Sequence, residues 1–263
     1  MYLLESILLG ILQGIAEWLP ISSTGHLRLA EHFLGLNLPL LFDLSLHIGT
    51  LIPVLFFFRR DVKDIISALA RLDFKSENGQ LIVPLAIGTV ATGIIGLVFV
   101  DVVESLSHNI LSIAIALLIG GTLLYASKAG REKTDRVSIW NALIFGLAQG
   151  AAILPGLTRS GTTIAVALLV GTKREKAFKF SFLLSIPTII AAQGLTLYKQ
   201  RDTLALTGFG ATEVIIGATI AMIIGYLAVR LVRKIIMEKK FHWFALYCWL
   251  LGAAVVLLYL RGF

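Results

Sequence analysis

The sequence is poor in charged residues, in acids especially, and in cysteine. Only 15% of its 263 residues are Asp, Glu, Lys or Arg, whereas soluble domains average about 25%. Its 16 acidic residues are outnumbered by 23 Lys and Arg, which gives a formal net charge of +7. The single cysteine, Cys248, excludes an intrachain disulfide and any metal site built from several cysteines. An ordinary soluble domain and a disulfide-stabilised domain are therefore both excluded.

Long apolar runs take the place of the missing charge. Hydrophobic residues make up 57% of the chain, above the roughly 45–50% of soluble domains. A spanning helix needs about 20 mostly apolar residues. The pattern predicts an all-α integral membrane protein with a single membrane domain over 1–263. The six predicted transmembrane helices cover residues 41–58, 81–100, 109–127, 180–198, 214–229 and 243–260.

The basic residues lie between these apolar runs. Most Lys and Arg residues fall in loops 59–79, 128–136, 172–179 and 230–240. Because basic loops stay on the cytoplasmic side of a membrane, we predict that these four loops are inside and that both termini are outside. Charge distributed in this way indicates membrane topology, and it does not form the basic patch of a nucleic-acid-binding protein.

Segment 138–171 cannot cross the membrane once, because a basic loop precedes it and another follows it. Its arms, 138–153 and 160–171, meet at "LPGLTRSG". A helix of about twelve residues covers about 18 Å of a hydrocarbon core that is about 30 Å thick. We therefore predict a re-entrant helical hairpin with its polar tip near the bilayer middle. Residues 1–36 have the same form and are predicted to enter from the outer side.

The two hairpins belong to an internal repeat. Four positions of the first hairpin match four of the second: Gly10, Gln13, Gly14 and Ala16 fall on Gly146, Gln149, Gly150 and Ala152. Because the copies enter from opposite faces, the match predicts an inverted-topology repeat, with repeat 1 at about 1–127 and repeat 2 at about 138–263. Chance similarity between helices rich in small residues is the alternative.

Each hairpin tip carries polar side chains that are costly inside a bilayer. The first tip, "EWLPISSTGH", has a carboxylate, three hydroxyls and a histidine, and the second, "LPGLTRSG", has two hydroxyls and an arginine. A helix start binds anions through its unpaired N–H groups, and arginine suits phosphate. Together the tips suit the hydrolysis of a phosphate ester or anhydride, with groups to bind oxygens, attack phosphorus and move protons.

These polar groups also have purely structural interpretations. The hydroxyls are residues that helix caps favour. The carboxylate and the arginine could form only a buried ion pair, and the histidine could be only a packed polar residue. Asp43 and His47 lie four residues apart, so they either begin a helix together or support the site from behind.

At these motifs the sequence resembles the undecaprenyl-diphosphatase family, also called the bacitracin-resistance protein family. The resemblance rests on "QGIAE", "PISSTGH", "PGLTRSG" and "FSFLLSIP", in that order along the chain. It implies an enzyme of the cell (inner) membrane that hydrolyses a polyprenyl diphosphate lipid to the monophosphate, and so recycles the carrier for cell-wall glycan synthesis. It further implies a site that opens to the outer face, and activation by a divalent cation, Mg²⁺ or Ca²⁺.

Carried over by position, the resemblance gives each motif residue a role. Glu17 is the expected catalytic carboxylate and cation ligand, because the family's other acidic position is Gln13 here. Arg159 is expected to bind diphosphate oxygens. His26 is the nucleophile or the base that activates Ser23 or water, a choice that the sequence leaves open. The remaining assignments are phosphate binding by Ser22, Thr24, Gly25, Thr158, Ser160 and Gly161, and support of the site by Gln13, Asp43 and His47.

Two other functions compete with hydrolysis. A flippase or transporter of polyprenyl phosphates would also use an inverted repeat and an anion-binding site. The carboxylate and histidine favour an enzyme, because translocation needs no nucleophile. An ion channel fits poorly, since no stretch resembles a selectivity filter. The state of assembly is open, and a homodimer is one possible form.

Overall fold

The computed structural model describes residues 3–107, 109–199 and 210–261. Within those ranges the chain forms twelve α-helices and no β-strand. The helices are α1 (Leu3–Trp18), α2 (Ser23–Leu34), α3 (Leu40–Phe57), α4 (Arg59–Ala70), α5 (Ile82–Val98), α6 (Val100–Ser107), α7 (Ile110–Ala126), α8 (Ile139–Ala151), α9 (Arg159–Leu169), α10 (Arg174–Lys199), α11 (Ala211–Met237) and α12 (Phe244–Leu260).

Six helical segments of the described chain are long and apolar enough to cross a bilayer. They are Leu40–Phe57, Gly79–Val98, Ile110–Ala129, Arg174–Lys199, Ala211–Met237 and Phe241–Leu260. Each overlaps one predicted transmembrane helix. The predicted all-α class with six spanning helices is therefore confirmed.

Several segments that were predicted to be loops are helical. Helix α4 occupies much of loop 59–79, α10 begins inside loop 172–179, and α11 continues through most of loop 230–240. Hydropathy detects only the part of a helix that lies in hydrocarbon, whereas helix ends that carry Lys and Arg extend into the aqueous interface. The predicted loops therefore locate the charged residues, but the helices within these loops were not predicted.

Ion pairs fix this charged end of the molecule. Lys179 of α10 binds Asp61 of α4 with 2.5 Å between nitrogen and oxygen, and it donates to the side chain of Asn78 at 2.9 Å. Lys176 binds Glu77 at 3.0 Å. Helix α4 and the loop after it are thereby held against the start of α10.

Two pairs of short helices carry the polar motifs. Helices α1 and α2 form the first pair and α8 and α9 the second, and the segments between the helices hold the two predicted tips. Helices α2, α8 and α9 have 12, 13 and 11 residues, fewer than the roughly 20 that a span requires. The re-entrant path of both hairpins stays a prediction, to which these lengths conform.

The first arm of each hairpin packs on a spanning helix of the other half of the chain. Helix α1 lies against α11, and α8 lies against α5. Both contacts are close: a Cβ atom added at Gly10 would lie 2.7 Å from the carbonyl oxygen of Gly217, and one at Gly146 would lie 2.5 Å from that of Gly88. Gly10 and Gly146 are partners in the proposed repeat, whose boundaries and opposed orientation stay predictions.

Candidate active site

The two hairpin tips contact each other through Ser22. Its Oγ atom accepts a hydrogen bond from the backbone N–H of Gly25 in its own tip and another from Gly156 in the other tip, each at 3.2 Å. Ser22 has a φ of 72° and Gly156 a φ of 100°, the left-handed region that side chains other than glycine rarely adopt. Ser160 adds a bond from its Oγ to the Trp18 carbonyl at 3.2 Å.

Helix capping explains part of the hydroxyl pattern. Ser22 caps α2, and Thr158 caps α9 by accepting from the N–H of Gly161 at 3.3 Å. A Cβ atom at Gly161 would lie 2.8 Å from the Cβ of Pro20, so the tips approach closely there. The contacts of Ser22 and Thr158 are therefore those of helix caps, as the structural interpretation of these hydroxyls predicts.

Glu17 lies at the centre of a polar cluster formed by both tips. One carboxylate oxygen forms an ion pair with Arg159. The other accepts from Ser23 Oγ at 2.7 Å and from Gln13 Nε2 at 3.0 Å, with His47 Nδ1 at 3.6 Å. The Glu17 side chain is only 3% exposed, so its charge depends on these neighbours.

Arg159 keeps part of its guanidinium free of protein partners. Its Nη2 binds Glu17, and the guanidinium carbon lies 5.5 Å from the centre of the Trp18 ring. Its Nη1 is buried, and no described residue accepts a hydrogen bond from it. A buried donor without a partner is costly, which makes Nη1 suited to an anionic ligand.

A cavity of about 200 Å³ opens beside this cluster. The predicted residues that line it are Glu17, Ser23, Thr24, His47, Thr158 and Arg159. The structure therefore brings the carboxylate, one hydroxyl in contact with it and the arginine to one small volume. Apolar side chains, among them Ile153, Leu157 and Ile189, form another part of the wall.

His26 does not line this cavity. Its Nδ1 lies 2.8 Å from the Ser22 carbonyl oxygen, and its Nε2 lies 2.6 Å from the Tyr247 hydroxyl. Because a carbonyl only accepts, Nδ1 carries the proton and Nε2 accepts from Tyr247. Both ring nitrogens are thus engaged away from Glu17, and the catalytic role of His26 stays a prediction.

The three residues that were predicted to support the site form a series of contacts next to Glu17. Gln13 Nε2 is 3.1 Å from His47 Nδ1, and His47 Nε2 is 3.9 Å from an Asp43 carboxylate oxygen. Gln13 is fully buried. This geometry suits positioning of the Glu17 carboxylate, which is the role that the sequence predicted for them.

Four polar lining residues were not predicted: Thr92, Gln149, Thr188 and Gln193. They come from α5, α8 and α10, away from both tip motifs. One signal was available for Gln149, because the internal repeat aligns it with Gln13. For the threonines no sequence signal distinguishes them from ordinary helix residues.

The side chains fit a divalent cation only in part. No group of three or more His, Cys, Asp or Glu residues among the described residues is arranged to hold a metal ion. Among the described residues, Glu17 is the one carboxylate that lines the cavity. Mg²⁺ commonly binds one or two carboxylates together with substrate phosphates. The residues therefore suit a cation that arrives with a phosphate ligand, and they do not form a protein-only metal site.

A larger cavity, of about 530 Å³, lies at the charged end of the molecule. Its lining includes Lys176 and Lys179, but these lysines are paired with Glu77 and Asp61. Among its described lining residues the one hydroxyl is that of Ser138, which caps α8 by accepting from the N–H of Asn141. The smaller cavity is therefore the candidate active site.

Comparison with known proteins supports the family resemblance of the motifs, and the matches extend along nearly the whole chain. Residues 6–254 match the family described as bacitracin resistance protein BacA. The undecaprenyl-diphosphatase of Halothermothrix orenii is 40% identical over 262 residues, which cover 98% of each chain. That of Treponema denticola is 39% identical over 272 residues, covering 100% of this chain and 99% of the relative. That of Methanobrevibacter smithii is 38% identical over 271 residues, 97% of each chain.

Proposed function

The chain belongs to the bacitracin resistance protein BacA family, and from that premise we propose that it hydrolyses undecaprenyl diphosphate to the monophosphate and phosphate. The reaction recycles the lipid carrier for cell-wall glycan synthesis and confers resistance to bacitracin. The resemblance seen in the motifs is thus confirmed at the level of the family. The observation that carries the proposal is the meeting of Glu17, Ser23 and Arg159 at one cavity.

Arg159 and the start of α9 bind the diphosphate in this proposal. The partner-free Nη1 of Arg159 donates to a phosphate oxygen, a charge-assisted bond of the stronger kind. Arg159 is the first residue of α9, so the positive end of the helix dipole adds to its charge. Thr24 and Thr158 line the same space and complete the polar lining. The apolar wall at Ile153 receives the start of the prenyl chain.

Ser23 is the nucleophile and Glu17 its base. Ser23 Oγ donates to the Glu17 carboxylate at 2.7 Å, which is the nucleophile-to-base contact that covalent catalysis requires. Oγ bonds to the terminal phosphorus, the bridging P–O bond breaks, and the lipid monophosphate leaves with the bridging oxygen while the hydroxyl proton passes to Glu17. Water then hydrolyses the phosphoserine and releases phosphate. Glu17 is the residue that would hold a divalent cation arriving with the diphosphate, and such a cation would supply neutralisation of part of the diphosphate charge.

His26 acts by positioning the first tip. Its ring holds the Ser22 carbonyl and is itself held by Tyr247, and the Ser22 side chain links the two tips. We therefore expect His26→Asn to stay within about tenfold of wild-type activity, because the amide still offers an N–H to the carbonyl. His26→Ala is expected to lose more. Phosphate-release rates of both variants test this, and equal inactivity of the two would support a catalytic imidazole.

Phosphate release from undecaprenyl diphosphate by the purified protein in detergent is the direct test of the function. Lipid monophosphate and inorganic phosphate should appear in equal amounts. A polyprenyl-phosphate flippase predicts the opposite result: no phosphate release, with an effect visible only as lipid translocation in vesicles. Absence of hydrolysis by well-folded wild-type protein would overturn the proposal.

We also propose that the protein lies in the cell membrane with its site open to the outer face. The six spanning helices and the family support a multi-pass membrane protein, and the basic loops support the orientation. In a Cys248→Ser background, a cysteine at exposed Asn37 should react with an impermeant thiol reagent from outside. A cysteine at exposed Lys133 should react only after the membrane is opened. The reverse pattern would overturn the orientation, and reaction of both cysteines from the outside would overturn the inverted repeat.

A further inference from the structure

Gln149 of α8 lines the site cavity without belonging to either tip motif. Its side chain is nearly fully buried, at 1% exposure of the residue. Its Nε2 donates to Thr188 Oγ1 at 3.1 Å and to Thr92 Oγ1 at 3.3 Å. Both protons of the amide nitrogen are thus used within the protein.

The two threonines fix which way this amide faces. Thr92 Oγ1 donates to the Gly88 carbonyl at 2.8 Å, and Thr188 Oγ1 donates to the Leu184 carbonyl at 3.0 Å. A hydroxyl has one proton, so both threonines can only accept from Gln149. The amide oxygen is therefore the atom left over. Oε1 is buried, and no described residue donates a hydrogen bond to it.

The residues that line the cavity therefore carry one unpaired acceptor and one unpaired donor. The unpaired Nη1 of Arg159 is a donor. Helices α5, α8 and α10 contribute no charged side chain to the lining, and the titratable or charged groups there are Glu17, His47 and Arg159. A fully ionised phosphate oxygen is repelled by an acceptor such as Gln149 Oε1. An oxygen that carries a proton can donate to it.

We propose that Gln149 forms a subsite for a bound phosphate. Its Oε1 accepts a hydrogen bond from the protonated phosphate oxygen, and the ionised oxygens of the same phosphate bind Arg159. The ligand class is hydrogen phosphate, and the assignment rests on the proposed function, which releases inorganic phosphate here. Phosphate keeps a proton at neutral pH, whereas sulfate has the same shape and no proton. A site built around a ligand O–H rejects the analogue that lacks it, because a buried polar group is then left unpaired.

Calorimetric titration of the purified protein in detergent with sodium phosphate and with sodium sulfate tests the proposal. Wild-type protein should bind phosphate at least about tenfold more tightly than sulfate. Gln149→Leu should bind phosphate about as weakly as it binds sulfate. The titration needs no turnover, so a failure of phosphate recognition is distinct from a failure of hydrolysis, which is measured separately.

Two further variants serve as a second test and as a control for this titration. Thr188→Val removes one acceptor that orients the amide, and it should reduce the preference for phosphate without adding charge. Gln80→Leu makes the same amide-to-leucine change outside the site cavity and should keep the wild-type preference. Equal affinity of wild-type protein for both anions would overturn the proposal even if Gln149→Leu fails to fold. An unchanged preference in folded Gln149→Leu would overturn it as well.

Discussion

In a Glu17→Gln variant we expect phosphate release to fall by about 10²–10⁴-fold, the usual loss when a working acid–base group is removed. The amide keeps the shape of the side chain, yet it cannot take the proton from Ser23. Steady-state kinetics with undecaprenyl diphosphate should place the loss in kcat. Phosphate binding should persist, because the change also releases Arg159 from its ion pair.

Glu31→Gln is the matched control for Glu17→Gln. Glu31 lies on α2 of the same hairpin and pairs with Arg28 at 2.6 Å, but it does not line the site cavity. This variant loses the same charge and one ion pair, so its activity should stay within about threefold of wild type, as expected for a partly exposed pair. Comparable losses in the two variants would show that Glu17 only stabilises the fold.

Ser23→Ala is expected to lower kcat by about 10³-fold or more, since removal of a nucleophile costs more than removal of most other groups. Its KM should change little, because Arg159 and the start of α9 bind the phosphates. Rapid acid quenching of wild-type protein with labelled substrate should trap a phosphoserine at residue 23, and the variant should trap none. Near-normal turnover of Ser23→Ala would mean that water attacks phosphorus directly.

Thr24→Val controls for the loss of a hydroxyl at the same tip. Thr24 lines the cavity next to Ser23, while Ser23 is the residue whose hydroxyl contacts the base. We expect Thr24→Val to raise KM and to leave kcat within about tenfold. If Thr24→Val lowers kcat strongly and Ser23→Ala does not, the nucleophile is Thr24 and not Ser23.

The spanning helices could be predicted from the sequence because burial in hydrocarbon leaves a simple signal. Twenty or so apolar residues in a row suffice, and all six predicted spans have counterparts. Helix α4 was missed for the converse reason. Its mean hydropathy is low because five of its residues are charged: Arg59, Arg60, Asp61, Lys63 and Asp64. The Asp61–Lys179 ion pair joins it to α10, a contact that hydropathy does not reveal.

The part of the site that lies in the tip motifs could be predicted from the sequence, whereas the part on α5, α8 and α10 had one signal, the alignment of Gln149 with Gln13 in the internal repeat. Glu17, Ser23 and Arg159 are polar groups within apolar surroundings, and such groups stand out. Gln149 and Thr188 lie on helices whose sequences show no tip motif, and only packing brings them to the cavity. A local sequence pattern does not encode which residues of different helices lie close together in the fold.

The surroundings of His26 could not be predicted from the motif. Helix α2 begins at Ser23, and each residue turns the helix by about 100°. His26 therefore lies about 200° from Thr24 around the axis but only about 60° from Ser23, and both of these residues line the cavity. Helix phase alone does not turn the histidine away from the site, and its contacts with the Ser22 carbonyl and with Tyr247 of α12 become visible only in the fold.

The ion pair between Glu17 and Arg159 joins residues that are 142 positions apart. A chain is synthesised from its amino end, so Glu17 is made long before its arginine. The proposed site therefore cannot form in the nascent chain until the ribosome has passed α9. A chain truncated before that helix is expected to be inert towards the carrier lipid.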